Sequence, residues 1–197
     1  TQKGLGALED FVYSRHQMYR KVYAHKTALG FDWLLREAIN EVLDDPENFE
    51  WVDTCLSDMA YFAELTGNFF WEAFRKVARK HPKSFSFCIV NRVKLNHLDT
   101  REDLSARGIE RHSAWLAEEL SLSPAQVVTC SMRARFSNIQ DNFNGIKVLV
   151  REPILRTRSL KKITDVSAFF SKFSDGTITH FYTRPDVTTG NQESLTE

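Results

Sequence analysis

Apolar residues recur every three or four positions through the first eighty residues of the chain. This spacing is typical of amphipathic helices. Three helices are predicted, over residues 8–43, 51–65 and 69–80. We expect the first to bend at Gly30 and to end at Asp44-Asp45-Pro46, because proline cannot continue a helix. The pattern of residues 85–98 is ambiguous.

The apolar side of each predicted helix is expected to form the core. Its members are Phe11, Met18, Val22 and Leu29 on the first helix, Leu56, Met59, Ala60 and Ala63 on the second, and Phe70, Phe74 and Val77 on the third. Trp33, Trp51 and Trp71 are assigned to the same core. None of these residues is interpreted as a cofactor site.

The pattern changes after Asp99. An amphipathic helix is predicted over residues 101–120 and another over 164–173. Strands are predicted over residues 127–136, 145–150, 153–157 and 177–183. The sequence therefore predicts an α+β protein, mainly helical in its first half. We expect a helical region at 1–98, a small α+β lobe at 99–185 and a disordered tail at 186–197.

Composition narrows the function classes. The 197 residues carry 26 basic and 26 acidic side chains, so the formal net charge is zero. This balance argues against nucleic acid as a partner, and no apolar run is long enough for a membrane span. The three cysteines lack metal-ligand spacing and favour reduced thiols in a cytoplasmic protein.

Charge is nevertheless uneven along the chain. Residues 32–64 contain ten acidic side chains and one basic side chain, Arg36, whereas residues 133–162 are rich in lysine and arginine. Two solvated faces of opposite sign would explain this distribution. Alternatively, the two regions meet, within one chain or between subunits.

The segment SRHQMYRKVYAHK, residues 14–26, is unusually rich in cations and tyrosines for a helix. On a helical wheel, one margin of the apolar stripe carries Arg15, Tyr19, Tyr23 and Lys26, and the other carries Lys21 and His25. Arginine and tyrosine at a half-buried margin suit phosphate and sugar recognition. Long polar side chains at the margin of an otherwise buried helix would give the same pattern, and the wheel does not decide between the two.

SRHQMYRKVYAHKT resembles a segment of HD-domain phosphohydrolases of the deoxynucleoside triphosphate triphosphohydrolase type. That family carries R-x-x-x-[HY]-x-[RK]-x-[Y]-x-H-[KH] on a long helix. The following acidic helix and the segments KKITDVSAFFSKF and THFYT are also similar to the family's C-terminal region. The resemblance covers most of the chain, and its specific part is the first motif.

The resemblance implies roles for individual positions. Substrate contacts would be made by Arg15, Tyr19 and Tyr23. An activating nucleotide at a subunit interface would be held by Lys21, His25 and Lys26, and Arg92 in NRVKL is similar to a further effector-site arginine. The implied partners are deoxynucleoside triphosphates and further copies of the chain in a homo-oligomer.

The family's metal ligands have no counterpart here. The chain contains no His-Asp dipeptide, and its six histidines show no ligand spacing. In the family, these ligands lie upstream of the Arg15 helix and hold a divalent metal such as Mn, Mg or Fe. We therefore expect this chain to be the C-terminal part of such an enzyme, with no catalytic or metal-binding residue of its own and no activity alone.

Two other interpretations stay open. The chain could be a non-catalytic module for nucleotide sensing or assembly that uses the same helix. It could also be a helical interaction domain that binds no nucleotide.

Overall fold

The computed structural model describes residues 2–134, 145–151, 157–172 and 176–186. The helices in these ranges are α1 (Gln2–Met18), α2 (Lys26–Leu43), α3 (Pro46–Ser57), α4 (Met59–Phe62), α5 (Gly67–Lys80), α6 (Phe85–Val90), α7 (Ala106–Glu119), α8 (Ile163–Val166) and α9 (Ala168–Lys172). The strands are β1 (Asn96–Glu102), β2 (Val128–Ala134), β3 (Lys147–Arg151), β4 (Arg158–Lys162) and β5 (Gly176–Thr183). The predicted α+β class is confirmed.

The strands form two sheets. One has three strands in the order β1-β5-β2, and β3 pairs with β4 in an antiparallel ribbon. The central strand β5 is buried from Ile178 to Thr183, as expected for a strand with neighbours on both sides. Its sequence, GTITHFYT, is rich in the β-branched and aromatic residues that favour strands.

The chain folds into two compact units. Unit A comprises Thr1–His25, Arg101–Leu104 and Ser131–Thr179, and unit B comprises Lys26–Thr100, Ser105–Cys130 and His180–Glu197. Both units combine segments that are distant in sequence. The domain boundaries predicted at residues 98 and 185 stay predictions, and residues 187–197 of the predicted tail lie outside the described ranges.

The core of unit B is built on α2. Leu34, Ala38 and Val42 repeat every four residues along one side of this helix and are buried. They belong to one apolar cluster with Phe74 of α5 and Tyr182 of β5. Gly30 lies within α2, where an added Cβ would come 3.4 Å from the Tyr182 ring. That distance is an ordinary van der Waals contact. The helix continues through Gly30, and the bend predicted there stays a prediction.

Unit A has a separate, smaller core. Val12 of α1 is buried with Ile163 of α8 and Phe170 of α9. Val148 of β3 packs against this cluster, so one side of the two-stranded ribbon faces the core of unit A. The Ser167 hydroxyl also donates to the Glu9 carboxylate, which ties α1 to the segment between α8 and α9.

The predicted long helix over residues 8–43 is divided in two. A π-helical turn, Tyr19–Tyr23, follows α1, and α2 starts only at Lys26. The apolar side predicted for this helix is also wrong in part, because Phe11, Met18 and Val22 are exposed. The buried side of α1 instead carries Val12, which packs against residues about 150 positions later in the chain.

The second predicted helix is divided as well. Helix α3 begins at Pro46 with Asp45 as its N-cap, and it ends at Ser57, before the Asp58 cap of α4. The predicted core residues Leu56, Met59, Ala60 and Ala63 are exposed, and Met59 is 86% accessible. Trp71 is also exposed. By contrast, Phe74 is buried as predicted.

The second half of the chain agrees in part with the predicted elements. Strands β2, β3 and β5 overlap three of the predicted strands. The helix predicted at 101–120 begins at Ala106, after the unpredicted strand β1, and the helix predicted at 164–173 is interrupted at Ser167. Residues 153–156 of the strand predicted at 153–157 lie outside the described ranges, and strand β4 begins at Arg158.

Within the described ranges, no helix has both the length and the apolar character that crossing a bilayer requires.

Candidate functional site

The π-helical turn lies within the motif that the sequence singles out. Its defining hydrogen bond runs from the Ala24 amide to the Tyr19 carbonyl, over 2.8 Å and five residues. Such insertions are rare and occur frequently at functional sites. Tyr19, Lys21 and Tyr23 all belong to this turn, so the backbone departs from an α-helix where substrate and effector contacts are predicted.

Three predicted substrate residues of unit A lie side by side. The Arg15 guanidinium donates to the Tyr19 hydroxyl over 3.2 Å, and its central carbon lies 5.2 Å from the Tyr19 ring centroid. The Tyr19 and Tyr23 ring centroids are 5.1 Å apart. We call these three side chains the Arg-Tyr-Tyr array. Arg15 and Tyr19 are half-buried, and Tyr23 is exposed.

The array has the chemistry for binding a phosphorylated sugar. A guanidinium has five N–H donors, and the bond to Tyr19 uses one of them. The contact with Tyr19 also orients the guanidinium, which reduces the side-chain entropy lost on binding an anion. The neighbouring Tyr23 ring offers an apolar face against which a sugar or base can pack.

Arg20 is a residue of the π turn to which the sequence assigned no role. Its guanidinium forms an ion pair with the Glu102 carboxylate at the end of β1. Both residues belong to unit A. This contact links the π turn to a strand eighty residues later, so Arg20 is positioned to hold the turn in place. A run of consecutive cations gives no indication of which one forms such a pair.

The predicted effector residues are divided between the units. Lys21 and His25 lie in unit A and are exposed, whereas Lys26 and Arg92 belong to unit B. The carbonyl oxygen of Lys26 accepts a 2.6 Å bond from the Tyr182 hydroxyl. Burial raises the pKa of that phenol, with a smaller contribution from Cys130.

The charge of Lys26 acts on a histidine pair in unit B. Thr100 Oγ1 lies 2.9 Å from His97 Nε2 and 2.8 Å from His180 Nδ1. Burial is the main cause that lowers the pKa of His97 to about 4. The charges of Lys26 and His180 act in the same direction, and Asp99 opposes them. His97 is therefore neutral at neutral pH, so a single hydroxyl can bridge the two rings.

This lowered pKa makes the stability of unit B sensitive to acid. An unfolded histidine takes up a proton below pH 6.5, whereas folded His97 does so only near pH 4, so stability is lost as the pH falls between these values. The difference between the unfolded and folded pKa values corresponds to about 3 kcal/mol of folding stability. Solvent screening around a half-buried ring reduces this contribution to about 1 kcal/mol. The free energy of unfolding, measured in urea, falls between pH 7 and pH 4. We expect this fall to be about 1 kcal/mol smaller in His97→Gln than in wild type. Equal losses in the two proteins would contradict this assignment.

Arg92 lines a cavity of about 360 Å³ together with Asn68, Trp71, Glu72, Arg75, Ile89 and Val90. Its backbone is left-handed, with φ of 55°. Val93 N–H bonds to the Cys88 carbonyl and Arg92 N–H to the Ile89 carbonyl, which is the Schellman arrangement that ends many helices. Glycine is usual at this position, so the arginine costs about 1 kcal/mol of backbone strain.

Replacing Arg92 separates backbone strain from ligand binding. Arg92→Gly is expected to raise the free energy of unfolding by about 1 kcal/mol, because the strain is relieved. If the cavity is the effector site, the same change removes a guanidinium and weakens nucleotide binding there.

Ser121→Gly is the matched control, because Ser121 occupies the same position after α7 with φ of 54° and lies outside the cavity lining. Thermal unfolding and nucleotide titration of both variants test this. Binding that is equally weakened in both, or in neither, would exclude Arg92 as an effector contact.

The described residues do not fit a metal centre. No group of three or more His, Cys, Asp or Glu side chains in residues 2–134, 145–151, 157–172 and 176–186 is arranged to hold a metal ion. His112, for example, bonds to Asp99 over 2.7 Å and stacks on Trp115. No catalytic step is therefore assigned to a metal on these residues.

The chain matches no protein-family model and no curated protein. Solved structures share its fold. One is a hypothetical protein from Aquifex aeolicus, with a TM-score of 0.61 and 20% identity, which aligns with 93% of this chain and 43% of its own. Another is a phosphohydrolase from Bacteroides thetaiotaomicron, with a TM-score of 0.54 and 18% identity, which aligns with 92% of this chain and 50% of its own. This chain thus spans half or less of the length of these structures.

Proposed function

We propose that this chain is the C-terminal portion of an HD-domain phosphohydrolase that hydrolyses deoxynucleoside triphosphates to deoxynucleoside and triphosphate. The observation that carries the proposal is the Arg-Tyr-Tyr array on a π-helical turn. The motif resemblance in the sequence supports it. The shared fold with a phosphohydrolase, of which this chain covers 50%, gives coarser support, because it indicates the fold and not the substrate.

In this proposal the array forms one wall of the substrate pocket. Arg15 binds phosphate oxygens through its remaining N–H groups, and Tyr19 holds the guanidinium in position. Tyr23 packs its ring against the deoxyribose. The upstream part of the protein would hold a divalent metal, which polarises the phosphate and activates water. The residues described here bind and orient the substrate, and the chain alone is expected to be inactive.

The exposed apolar side chains of α1 and the π turn agree with this arrangement. Phe11 is 62% and Val22 58% accessible, and Met18 lies between them in sequence and is also exposed. Apolar side chains this exposed often mark a surface that packs against another protein segment. We assign this surface to contact with the catalytic part of the full-length protein.

The remaining positions would serve regulation. Lys21, His25, Lys26 and Arg92 are proposed to hold an activating nucleotide, with the binding site completed by a homo-oligomer in the cytoplasm. The cavity beside Arg92 also contains Arg75 and the exposed ring of Trp71, a combination that suits an aromatic anion.

The second candidate is a non-catalytic module that senses nucleotides or assembles subunits. The described part of the chain has no metal-ligand cluster, which is compatible with this module and is also expected of the enzyme fragment. The two candidates differ in what surrounds the chain, since only the enzyme requires a metal site upstream. Both require that nucleotides bind here.

Isothermal titration calorimetry of the 197-residue chain with each deoxynucleoside triphosphate tests this shared requirement. We expect binding by wild type and weaker binding by Tyr23→Ala, because the sugar loses its packing surface. Trp115→Ala is the control, since Trp115 is similarly exposed but lies in unit B on α7. No heat of binding with any nucleotide would leave the helical interaction domain as the better account.

A further inference from the structure

The ribbon of β3 and β4 has one face that no described part of unit A covers. Val148 points to the core of unit A, so the alternate positions point away from it. The outward positions form the cross-strand pairs Lys147–Lys162, Leu149–Leu160 and Arg151–Arg158. All six side chains are partly or fully exposed, including Leu149 at 45% and Leu160 at 65%. We call them the cationic ribbon face.

This face has an unfavourable charge arrangement on its own. Lys147 lies opposite Lys162, and Arg151 lies opposite Arg158. Like charges in directly opposed pairs destabilise a strand pair. The ten ribbon positions include five cations and no acidic residue. An acidic partner laid across the ribbon would relieve the repulsion at both ends.

The apolar centre limits the choice of partner. Each cation pair lies about 7 Å along the strands from the leucine pair, given about 3.3 Å per residue. A phosphate backbone makes no use of two leucines, and base stacking requires aromatic rings. A protein surface that combines acidic and apolar side chains would satisfy both parts of the ribbon face.

The chain carries such a surface on α3. Phe49, Asp53 and Leu56 are spaced by four and three residues, so they share one side of the helix, and Glu50 lies beside them. All four are exposed, with Phe49 at 58% and Leu56 at 63%. We call them the acidic α3 face. It belongs to the region of residues 32–64, which has ten acidic side chains and one basic side chain.

We propose that the cationic ribbon face of one copy of this chain docks on the acidic α3 face of a second copy. The carboxylates of Glu50 and Asp53 compensate the cations at the ends of the ribbon. The exposed leucines of the ribbon pack against Phe49 and Leu56. Because the chain has zero net charge, long-range repulsion between copies does not oppose the contact. The proposal is independent of nucleotide binding.

Sedimentation velocity over a protein concentration series tests the contact. Wild type is expected to self-associate at low salt and to dissociate at high salt, because exposed ion pairs are screened. The ribbon variant Arg151→Glu/Arg158→Glu and the α3 variant Glu50→Lys/Asp53→Lys are each expected to associate about tenfold or more weakly. In a mixture, the acidic ribbon of the first variant attracts the basic α3 face of the second. The unchanged ribbon of the second variant attracts the unchanged α3 face of the first, so the mixture is expected to associate like wild type.

Two further proteins separate docking from folding. Arg158→Glu alone places opposite charges across the ribbon, so it is expected to keep or raise the thermal stability while weakening association. Arg107→Glu/Arg111→Glu makes the same charge change as the ribbon variant on exposed positions of α7 and is expected to associate normally.

A monomeric wild type at low salt, or a variant mixture that stays monomeric, overturns the proposal. Binding of a single-stranded oligonucleotide by monomeric wild type, lost in the ribbon variant, would show nucleic acid to be the occupant and overturn it as well.

Discussion

Arg15→Ala is expected to weaken binding of deoxynucleoside triphosphates by about 10- to 100-fold, because a hydrogen bond to a charged group contributes about 1.5–3 kcal/mol. Arg15 is the charged member of the Arg-Tyr-Tyr array, and its half-buried guanidinium is oriented by Tyr19. In the full-length protein, the same change is expected to lower kcat/KM at least as much, since the bond to phosphate strengthens as charge develops there. Calorimetry and steady-state kinetics measure the two effects.

Three further variants locate the effect. Arg15→Lys retains the charge but loses the planar donor fork, so we expect an intermediate loss. Tyr19→Phe removes the hydroxyl that accepts from Arg15 and is expected to cost less than Arg15→Ala. Arg79→Ala removes an exposed arginine of α5 and serves as the control for net charge. If Arg15→Ala and Arg79→Ala bind nucleotides equally well, Arg15 is not a substrate contact.

Glu41→Ala is expected to lower the free energy of unfolding by about 2–4 kcal/mol, because it leaves several partly or fully buried donors without an acceptor. The Glu41 carboxylate accepts from the Phe85 amide at 2.7 Å and from the Ser86 amide and hydroxyl at 2.9 Å. Ser86 is fully buried. The carboxylate also places a negative charge at the start of α6, where the helix dipole favours it. Urea denaturation monitored by circular dichroism measures the loss.

Glu37→Ala is the matched control for this prediction. Glu37 lies one turn earlier on the same helix, so both substitutions remove the same group from α2. We expect Glu37→Ala to change stability by less than about 0.5 kcal/mol, as is usual for partly exposed positions without specific contacts. Equal destabilisation by the two variants would mean that the bonds to α6 do not account for the role of Glu41.

Local signals in the sequence account for the elements that were predicted well. Helix α5 lies within two residues of its predicted start and ends as predicted at Lys80, because its apolar spacing is regular and Pro82 follows. The Asp45-Pro46 pair was correctly identified as a helix end. It also begins α3, with Asp45 as cap and Pro46 in the first turn, which is a favoured start.

The buried side of α1 depends on distant residues. Both Val12 and Phe11 lie on apolar sides of the helix, and a helical wheel alone does not choose between them. The choice is made by Ile163 and Phe170, which lie about 150 residues later and pack on Val12. The π turn adds a second difficulty, because its hydrogen bonds span five residues and a wheel drawn at about 100° per residue loses phase there.

The candidate site was predictable in part. Arg15, Tyr19 and Tyr23 are spaced by four residues, and the structure places them side by side as this spacing suggests. The roles of these residues, and of Lys21, His25, Lys26 and Arg92, stay predictions. The ion pair of Arg20 and the strained backbone of Arg92 have no local sequence signal, because each depends on contacts made by the folded chain.

Triphosphate release from the four deoxynucleoside triphosphates tests the central claim most directly. The full-length protein that contains this chain and the 197-residue chain alone are assayed side by side with manganese or magnesium. We expect turnover by the full-length protein and none by the chain, because the proposal places the metal site upstream and assigns only substrate binding and orientation to the array. A full-length protein that binds nucleotides but releases no triphosphate would contradict the enzyme and favour a nucleotide-sensing module.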